Sequence, residues 1–586
     1  YLVLADSYFP GWIAQIDGED TPIYRADGNF RAVLVPQGEH TVRFKFSPIS
    51  FRVGAVVTLL AVIAVLLALV ALVWQRFVLQ GEAEESQVRT VAKNSLVPMG
   101  ASLLIQVINF ALALVVLRVL GPENNGRYAF AVTVWFFLSA ITEFGLGILV
   151  TREVSRNRAQ ANVYLTNSIL LRMGLTLVSV VLLVGVIAFY TATGDMTADT
   201  MWAIVLLWVS LFPNNLAGAF SVMFNAYERF EYPTAVEIST ALVSVALQIA
   251  VLLAGYGIVG LAAVSTVTNL FTLVVMFYLV RRLLFKPHFA FDGQLARWMF
   301  FESYPLMMNN LLANLFFKID VFLLLPLTNA TILGYYNAAY KFVNALNFIP
   351  SKFTLAIFPM LSRYAASSSD AMRRALVVSV KLLIWIAIPI TVATEFIAPQ
   401  LILIFAGTAY LPDSGIALQW LIWFLPFSFI NSVVHYVLIA LNEQRFLTRA
   451  FLIGVVFNVG ANLIAIPPLT YRGAALVTVL SELALLIPFY YALRKHMPPL
   501  PILDLIWRPA AAGGIMAAVL SALVPQNWIV ALIAGGVVYS IALLLLGALG
   551  PDEWLLLQRL VPRRLEGALR IVARDAIPVA GRDVTP

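Results

Sequence analysis

Apolar runs of about twenty residues recur along nearly the whole of this chain, and each is long enough to cross a bilayer as a helix. A segment in lipid must satisfy its own backbone hydrogen bonds, so runs of this kind demand helices. The composition agrees. The chain is 61% hydrophobic and only 12% charged, where a soluble globular chain has about a quarter of its residues charged. This argues strongly against a large soluble enzyme. With no cysteine, disulfide and thiol chemistry are ruled out. The net charge of +7 is not a nucleic-acid footprint, because the cations cluster in loops between apolar runs.

The expected fold is an all-α polytopic membrane protein of about 14 transmembrane helices. Two six-helix lobes and two further C-terminal helices make up the body, preceded by a small β domain and one anchor helix. Residues 1–50 read as the β domain, 51–76 as the anchor and 77–94 as a cytoplasmic linker. The two lobes span 95–282 and 283–496, the added helices 497–550, and the tail 551–586. The opening YLVLADSYFPGW is neither a signal peptide nor an initiator region, so the true start is expected elsewhere.

In the first 50 residues, Pro10-Gly11, Asp17-Gly18, Asp27-Gly28 and Gln37-Gly38 punctuate short strands. Thr41, Arg43 and Lys45 alternate with Val42, Phe44 and Phe46, as in a half-buried strand. Trp12 is expected in the small core or at a membrane surface rather than stacked on a sugar. Asp6, Asp17, Glu19 and Asp20 read as turn formers rather than catalysts.

Cations fall in alternate loops of the body. Arg152, Arg156 and Arg158, then Arg229, then Arg281, Arg282 and Lys286 lie on one side. Arg363, Arg373 and Arg374, Arg445 and Arg449, and Arg494 and Lys495 continue that side. The rule that cytoplasmic loops are basic then sets a multi-pass plasma-membrane body with both ends inside, bacterial or archaeal. A repeat divides this body. Gly126-Arg127-Tyr128-Ala129-Phe130-Ala131 and Gly334-Tyr335-Tyr336-Asn337-Ala338-Ala339 both read GxYxxA at the start of a helix, six spans apart. Six is even, so the halves share one sense in the membrane, about an axis along its normal.

Several spans carry charge, which is costly in lipid and normally faces a bundle interior or a wet cavity. Glu302, Asn309 and Lys318 fall near one broad stripe of a long helix. Lys318 and Asp320, two residues apart, do not face each other and make a poor ion pair. Glu143 and Lys352 are candidates to pair or to snorkel to the interface. Asn314, Lys341 and Glu395 complete the charged and polar set of interest. No phosphate-binding loop, HExxH, GxSxG or dinucleotide fingerprint is present, and no cofactor or metal set is read. Transport is favoured over catalysis.

The stretch VVLRVLGPENNGRYAFAVTVWFFLSAITEFGLGILVTREVSR, with FKIDVFLLL, ILGYYNAAYKF, Phe358-Pro359-Met360-Leu361-Ser362-Arg363 and Gly473-Ala474-Ala475, resembles the polysaccharide-biosynthesis flippases. These belong to the MOP (MATE-like) superfamily, and the resemblance covers about residues 89–550. It implies a two-lobed bundle that flips a polyprenyl-diphosphate-linked oligosaccharide by alternating access, for cell-surface polysaccharide such as O-antigen. It also implies membrane lipids, a polysaccharide polymerase and glycosyltransferases as partners. Cavity cations would hold the diphosphate: Lys318 first, then Arg118, Arg127, Lys341 and Lys352. Asp320, Glu143, Glu302 and Glu395, with Asn309 and Asn314, would serve coupling or line the cavity. The first 75 residues resemble the C-terminal module of YfhO-like membrane proteins. That keeps a transferase–flippase fusion, with its transferase part upstream, as an alternative beside a drug or metabolite exporter.

Overall fold

The computed structural model describes residues 1–46 except 18, and 87–548 except 193 and 195. The expected anchor (51–76), most of the linker (77–94) and the tail (551–586) lie outside them.

The N-terminal segment forms two three-stranded antiparallel sheets. One has the order β1 (Leu2–Ser7), β5 (Phe30–Val33), β4 (Tyr24–Ala26); the other is β3 (Glu19–Thr21), β2 (Trp12–Ile16), β6 (Val42–Phe46). Turns fall where the sequence puts them, with Asp17 and Asp27 at φ 53° and 45°. Asp17 also accepts from the Thr41 N–H at 2.8 Å and pairs with His40 Nδ1 at 2.6 Å. That bonding holds its carboxyl below the ordinary value. Trp12 has one ring face covered by an arginine and packs its ring against Phe46 at 5.1 Å. The Arg31 guanidinium stands 3.4 Å over its ring, fully buried, while reaching Asp6 at 2.5 Å.

The body is α-helical throughout. Its helices are α1 (Gln87–Glu143), α2 (Leu146–Arg156), α3 (Ala161–Ala192), α4 (Ala198–Ala226), α5 (Glu231–Leu253) and α6 (Gly257–Leu283). The second half continues with α7 (Gly293–Leu327), α8 (Ala330–Leu346), α9 (Phe348–Ser367) and α10 (Ser369–Phe405). Then come α11 (Asp413–Leu421), α12 (Phe424–Ala440), α13 (Gln444–Leu469), α14 (Tyr471–Leu493), α15 (Ile502–Leu523) and α16 (Trp528–Leu545). Among the described residues, twelve helical segments are long and apolar enough to cross a membrane. The first of these is a hairpin. Gly121 adopts φ 70°, Pro122 starts the second arm, and Asn109 and Trp135 come to line one cavity. The consecutive helices α8 and α9 are not among these twelve segments. The protein is a multi-pass membrane protein.

Proline explains the broken passes. Pro350 has no N–H for the carbonyl of Leu346, and α8 stops there, with α9 starting at Phe348. Pro426 stands in the same relation to Ile422, between α11 and α12. A third break, at Phe144-Gly145, has both residues at positive φ (57° and 71°).

The GxYxxA repeats meet each other. A Cβ placed on Gly126 would stand 1.8 Å from the Ala330 carbonyl oxygen, and one on Gly334 would stand 1.8 Å from that of Pro122. Only glycine allows the two backbones this approach. Asn125 donates to the Gly334 carbonyl at 3.2 Å and accepts from Asn337 at 3.1 Å, which satisfies the polar groups of the seam. Around it runs one apolar core drawn from both lobes, including Leu117, Phe130, Leu324 and Leu333.

Helix α7 changes allegiance along its length. Near its start it packs on the first lobe, where Phe300 stacks on Phe144 at 4.7 Å. Farther along it packs on α13, where Asn458 donates to the Phe316 carbonyl at 3.1 Å. The last two helices pack on α10, with Tyr539 donating to the Trp385 carbonyl at 3.1 Å.

Candidate functional site: a cationic cavity between the lobes

Beneath the glycine seam lies a cavity of about 550 Å3. Its polar lining is Asn109 and Tyr128 from the two arms of α1, Gln248 from α5, Lys318 from α7, and Asn337, Lys341 and Asn344 from α8. Asn337, Lys341 and Asn344 follow the i, i+4, i+7 spacing of one helix face. Lys318 stands 4.6 Å over the ring of Tyr340, whose hydroxyl is anchored on the Phe317 carbonyl at 2.7 Å. The ring stabilises the ammonium without neutralising its charge. Among the described residues that line this cavity, two are ammonium-bearing and none is a carboxylic acid.

Asp320 points elsewhere. Two residues from Lys318, it is buried within the second lobe. It accepts from Tyr336 of α8, from Thr478 of α14 at 3.4 Å and from the Val321 N–H at 2.8 Å. The helical offset of about 200° separates the two charges onto different surfaces. Hydroxyl donors, not the lysine, hold the aspartate.

The remaining expected residues lie outside this cavity's lining. Arg118 is exposed and donates to the Ile404 carbonyl, which ties α1 to α10. Arg127 is spent on Glu123 at 2.6 Å, an i,i+4 pair at the hairpin turn. Lys352 sits on α9, with its ammonium 5.4 Å over Phe348. Glu143 does not pair with Lys352. Its partner is the buried Arg172, at 3.2 Å, and its two oxygens also accept the Gly145 and Gly147 N–H groups at 2.8 and 2.7 Å. It therefore caps α2 across the break. Glu302 is exposed and pairs with Arg152 at 3.2 Å. Glu395 accepts from Trp423 Nε1 at 3.1 Å. Asn309 accepts from Thr448 of α13, and Asn314 is a partly buried residue of α7. The expected stripe through Glu302, Asn309 and Lys318 thus meets three different surroundings, because α7 passes from one lobe to the other.

Gln248 and Asn337 were not singled out from the sequence as cavity residues. The 337–341–344 spacing carried the signal for α8, but Gln248 is one amide in an otherwise apolar helix, and nothing local marks the side it faces.

Two family models match the body. Residues 91–365 match the one described as polysaccharide biosynthesis protein, and residues 305–464 match MatE. The chain belongs to the polysaccharide-biosynthesis flippase family of the MOP (MATE-like) transporter superfamily. This member is a transporter by class rather than a catalytic enzyme. Solved structures show the same fold. The lipid II flippase MurJ in an inward closed conformation superposes with a TM-score of 0.60 at 15% identity, covering 76% of this chain and 98% of that one. An inward-facing multidrug resistance MATE transporter gives 0.56 at 16%, covering 67% and 96%. A MOP transporter from Pyrococcus furiosus, described as having a binding pocket of reverse polarity, gives 0.52 at 15%, covering 70% and 95%. No curated protein matches the chain.

Proposed function

We propose that this transporter flips a polyprenyl-diphosphate-linked oligosaccharide across the plasma membrane, with the diphosphate held by Lys318 and Lys341. The observation that carries the reading is the sign of the cavity, which has two ammonium groups and four amide side chains but no carboxylate in its lining. A diphosphate presents several strong acceptors and at least two negative charges, so such a lining stabilises it in a dry site. An exporter of cationic drugs needs the opposite sign beside Lys318 and Lys341, and the nearest such group is Glu237, in an adjoining cavity of about 620 Å3 that shares Asn109, Tyr128 and Trp135. Alternating access about the glycine seam, and an orientation with the arginine-rich loops inside, belong to the same proposal.

The test is reconstitution. Wild-type protein in liposomes is expected to move a fluorescent polyprenyl-diphosphate sugar and to leave a cationic dye in place. Lys318→Ala and Lys341→Ala are each expected to lower the rate at least tenfold while the protein still elutes as a folded species. Unchanged lipid flipping in both variants, or faster export of the dye than of the lipid, would sink the assignment.

A further inference from the structure

Four residues of the cationic cavity, Asn109, Tyr128, Val132 and Trp135, also line the adjoining cavity of about 620 Å3. Gln248 links the two as well. It lines the cationic cavity and donates to the Ser244 hydroxyl, in the lining of the other, at 2.8 Å. The chemistry changes across this boundary. Lys318 and Lys341 give way to the hydroxyls of Thr240, Ser244, Ser265, Thr268 and Thr272, the amide of Asn269 and one carboxylate, Glu237. Ser265 and Thr268 donate to carbonyls of their own helix, α6, at 3.4 and 3.0 Å, which leaves lone pairs on their oxygens. Glu237, on α5, is exposed onto the cavity and has no ion-pair partner among the described residues. Trp135 is half-buried and belongs to both linings, so it stands at their junction.

We infer that the adjoining cavity is the subsite for the sugars next to the diphosphate, and that Glu237 makes it select sugars without an acid group. The inference rests on the flippase reading above and adds which glycans that flippase accepts. A sugar ring presents hydroxyls that both donate and accept, and faces of C–H groups that are apolar. Hydroxyl and amide side chains answer the first, and the ring of Trp135 offers an apolar surface for the second. A carboxylate is a strong acceptor for sugar hydroxyls, because a hydrogen bond to an ionised group is about twice as strong as one between neutral groups. The same carboxylate sets two like charges side by side when the sugar is a uronic acid, and a cavity walled by protein screens that repulsion less than water does. Selectivity of this kind comes from an element that repels the wrong ligand as much as from contacts to the right one. The headgroup is thereby divided by sign, with ammonium groups for the diphosphate and neutral groups plus one anion for the glycan.

Full-length protein is reconstituted in liposomes with three fluorescent polyprenyl-diphosphate lipids. One bears a neutral N-acetylhexosamine disaccharide, one the same disaccharide with its outer ring a uronic acid, and one no sugar. Wild type is expected to flip the neutral glycolipid about tenfold faster than the uronate, and Glu237→Gln should bring the two rates together. Equal rates for the two glycolipids in wild type overturn the subsite while the flippase reading stands. So does a wild-type ratio kept in Glu237→Gln, and so does a folded Glu237→Gln protein that slows the sugar-free lipid as much as the glycolipids. If none of the three lipids moves in wild type, the flippase reading itself fails and the subsite falls with it. Wild-type protein supplies a check that needs no variant to fold. In detergent, a short-chain polyprenyl diphosphate carrying the neutral disaccharide should raise the melting temperature further than its uronate counterpart at equal concentration, and equal shifts count against the subsite.

Discussion

The two lobes share a motif and a helix order, yet they treat buried charge in opposite ways. In the first lobe the buried arginine is closed on an acid, although Glu237 of that lobe lines a cavity. Arg172, 3% exposed, meets Glu143 at 3.2 Å, and Glu143 in turn caps the break at Phe144-Gly145. In the second lobe the buried acids Asp320 and Glu482 meet only hydroxyls, amides and backbone, while Lys318 and Lys341 face a cavity. The repeat tyrosines run the other way, since first-lobe Tyr128 lines the cavity and second-lobe Tyr336 donates to Asp320. A charge whose partner lies on a neighbouring helix supports the fold. A charge left facing a cavity is available to a ligand.

Four measurements sharpen or break that contrast. The largest effect is expected from Arg172→Met, which strands a partly buried carboxylate. Breaking such a pair costs about 3 kcal/mol, seen as a lower melting temperature in detergent. If the protein melts as wild type does, the first lobe's pair is not structural. Next come Gly126→Ala and Gly334→Ala, since each added Cβ runs into a carbonyl oxygen of the opposite lobe. Each should cost about 1–3 kcal/mol, and the double variant less than the sum, because both push apart the same seam. Simple additivity would show that the glycines do not share one contact. Glu482→Gln should change stability by about 1 kcal/mol or less at pH 8, because the amide keeps an acceptor for Asn431 and sheds an unbalanced charge. A loss as large as that of Arg172→Met would place Glu482 with the structural charges. Glu302→Gln should have the smallest effect, a few tenths of a kcal/mol, because its pair with Arg152 is solvent-exposed on both sides.

Much of this was legible in the residues. Apolar length predicted the passes, GxYxxA marked the halves, and the two-residue offset of Lys318 and Asp320 told that they do not pair. The site was legible only in part. Lys318 and Lys341 line the cavity, while Arg118 donates to a carbonyl, Arg127 pairs with a carboxylate and Lys352 stands near a ring outside that lining. Ile404 is far from Arg118 in sequence and spacing cannot find it, whereas Glu123 and Phe348 stand four residues before Arg127 and Lys352, a helical spacing the sequence does show. The breaks at Asn347 and Ile422 coincide with Pro350 and Pro426.

The residues alone were enough to say that the chain crosses a membrane many times, and the GxYxxA repeat six spans apart raised the expectation of two halves of like sense. Both follow from local physics, because a run's length and polarity settle whether it spans, and an even number of spans settles its sense. Only the tertiary structure decided that Gly126 and Gly334 touch, that α7 passes from one lobe to the other, and which charges stay free. Those outcomes depend on which helices lie side by side. Close backbone approach and charge pairing act over a few ångströms between residues that can stand two hundred positions apart in the chain.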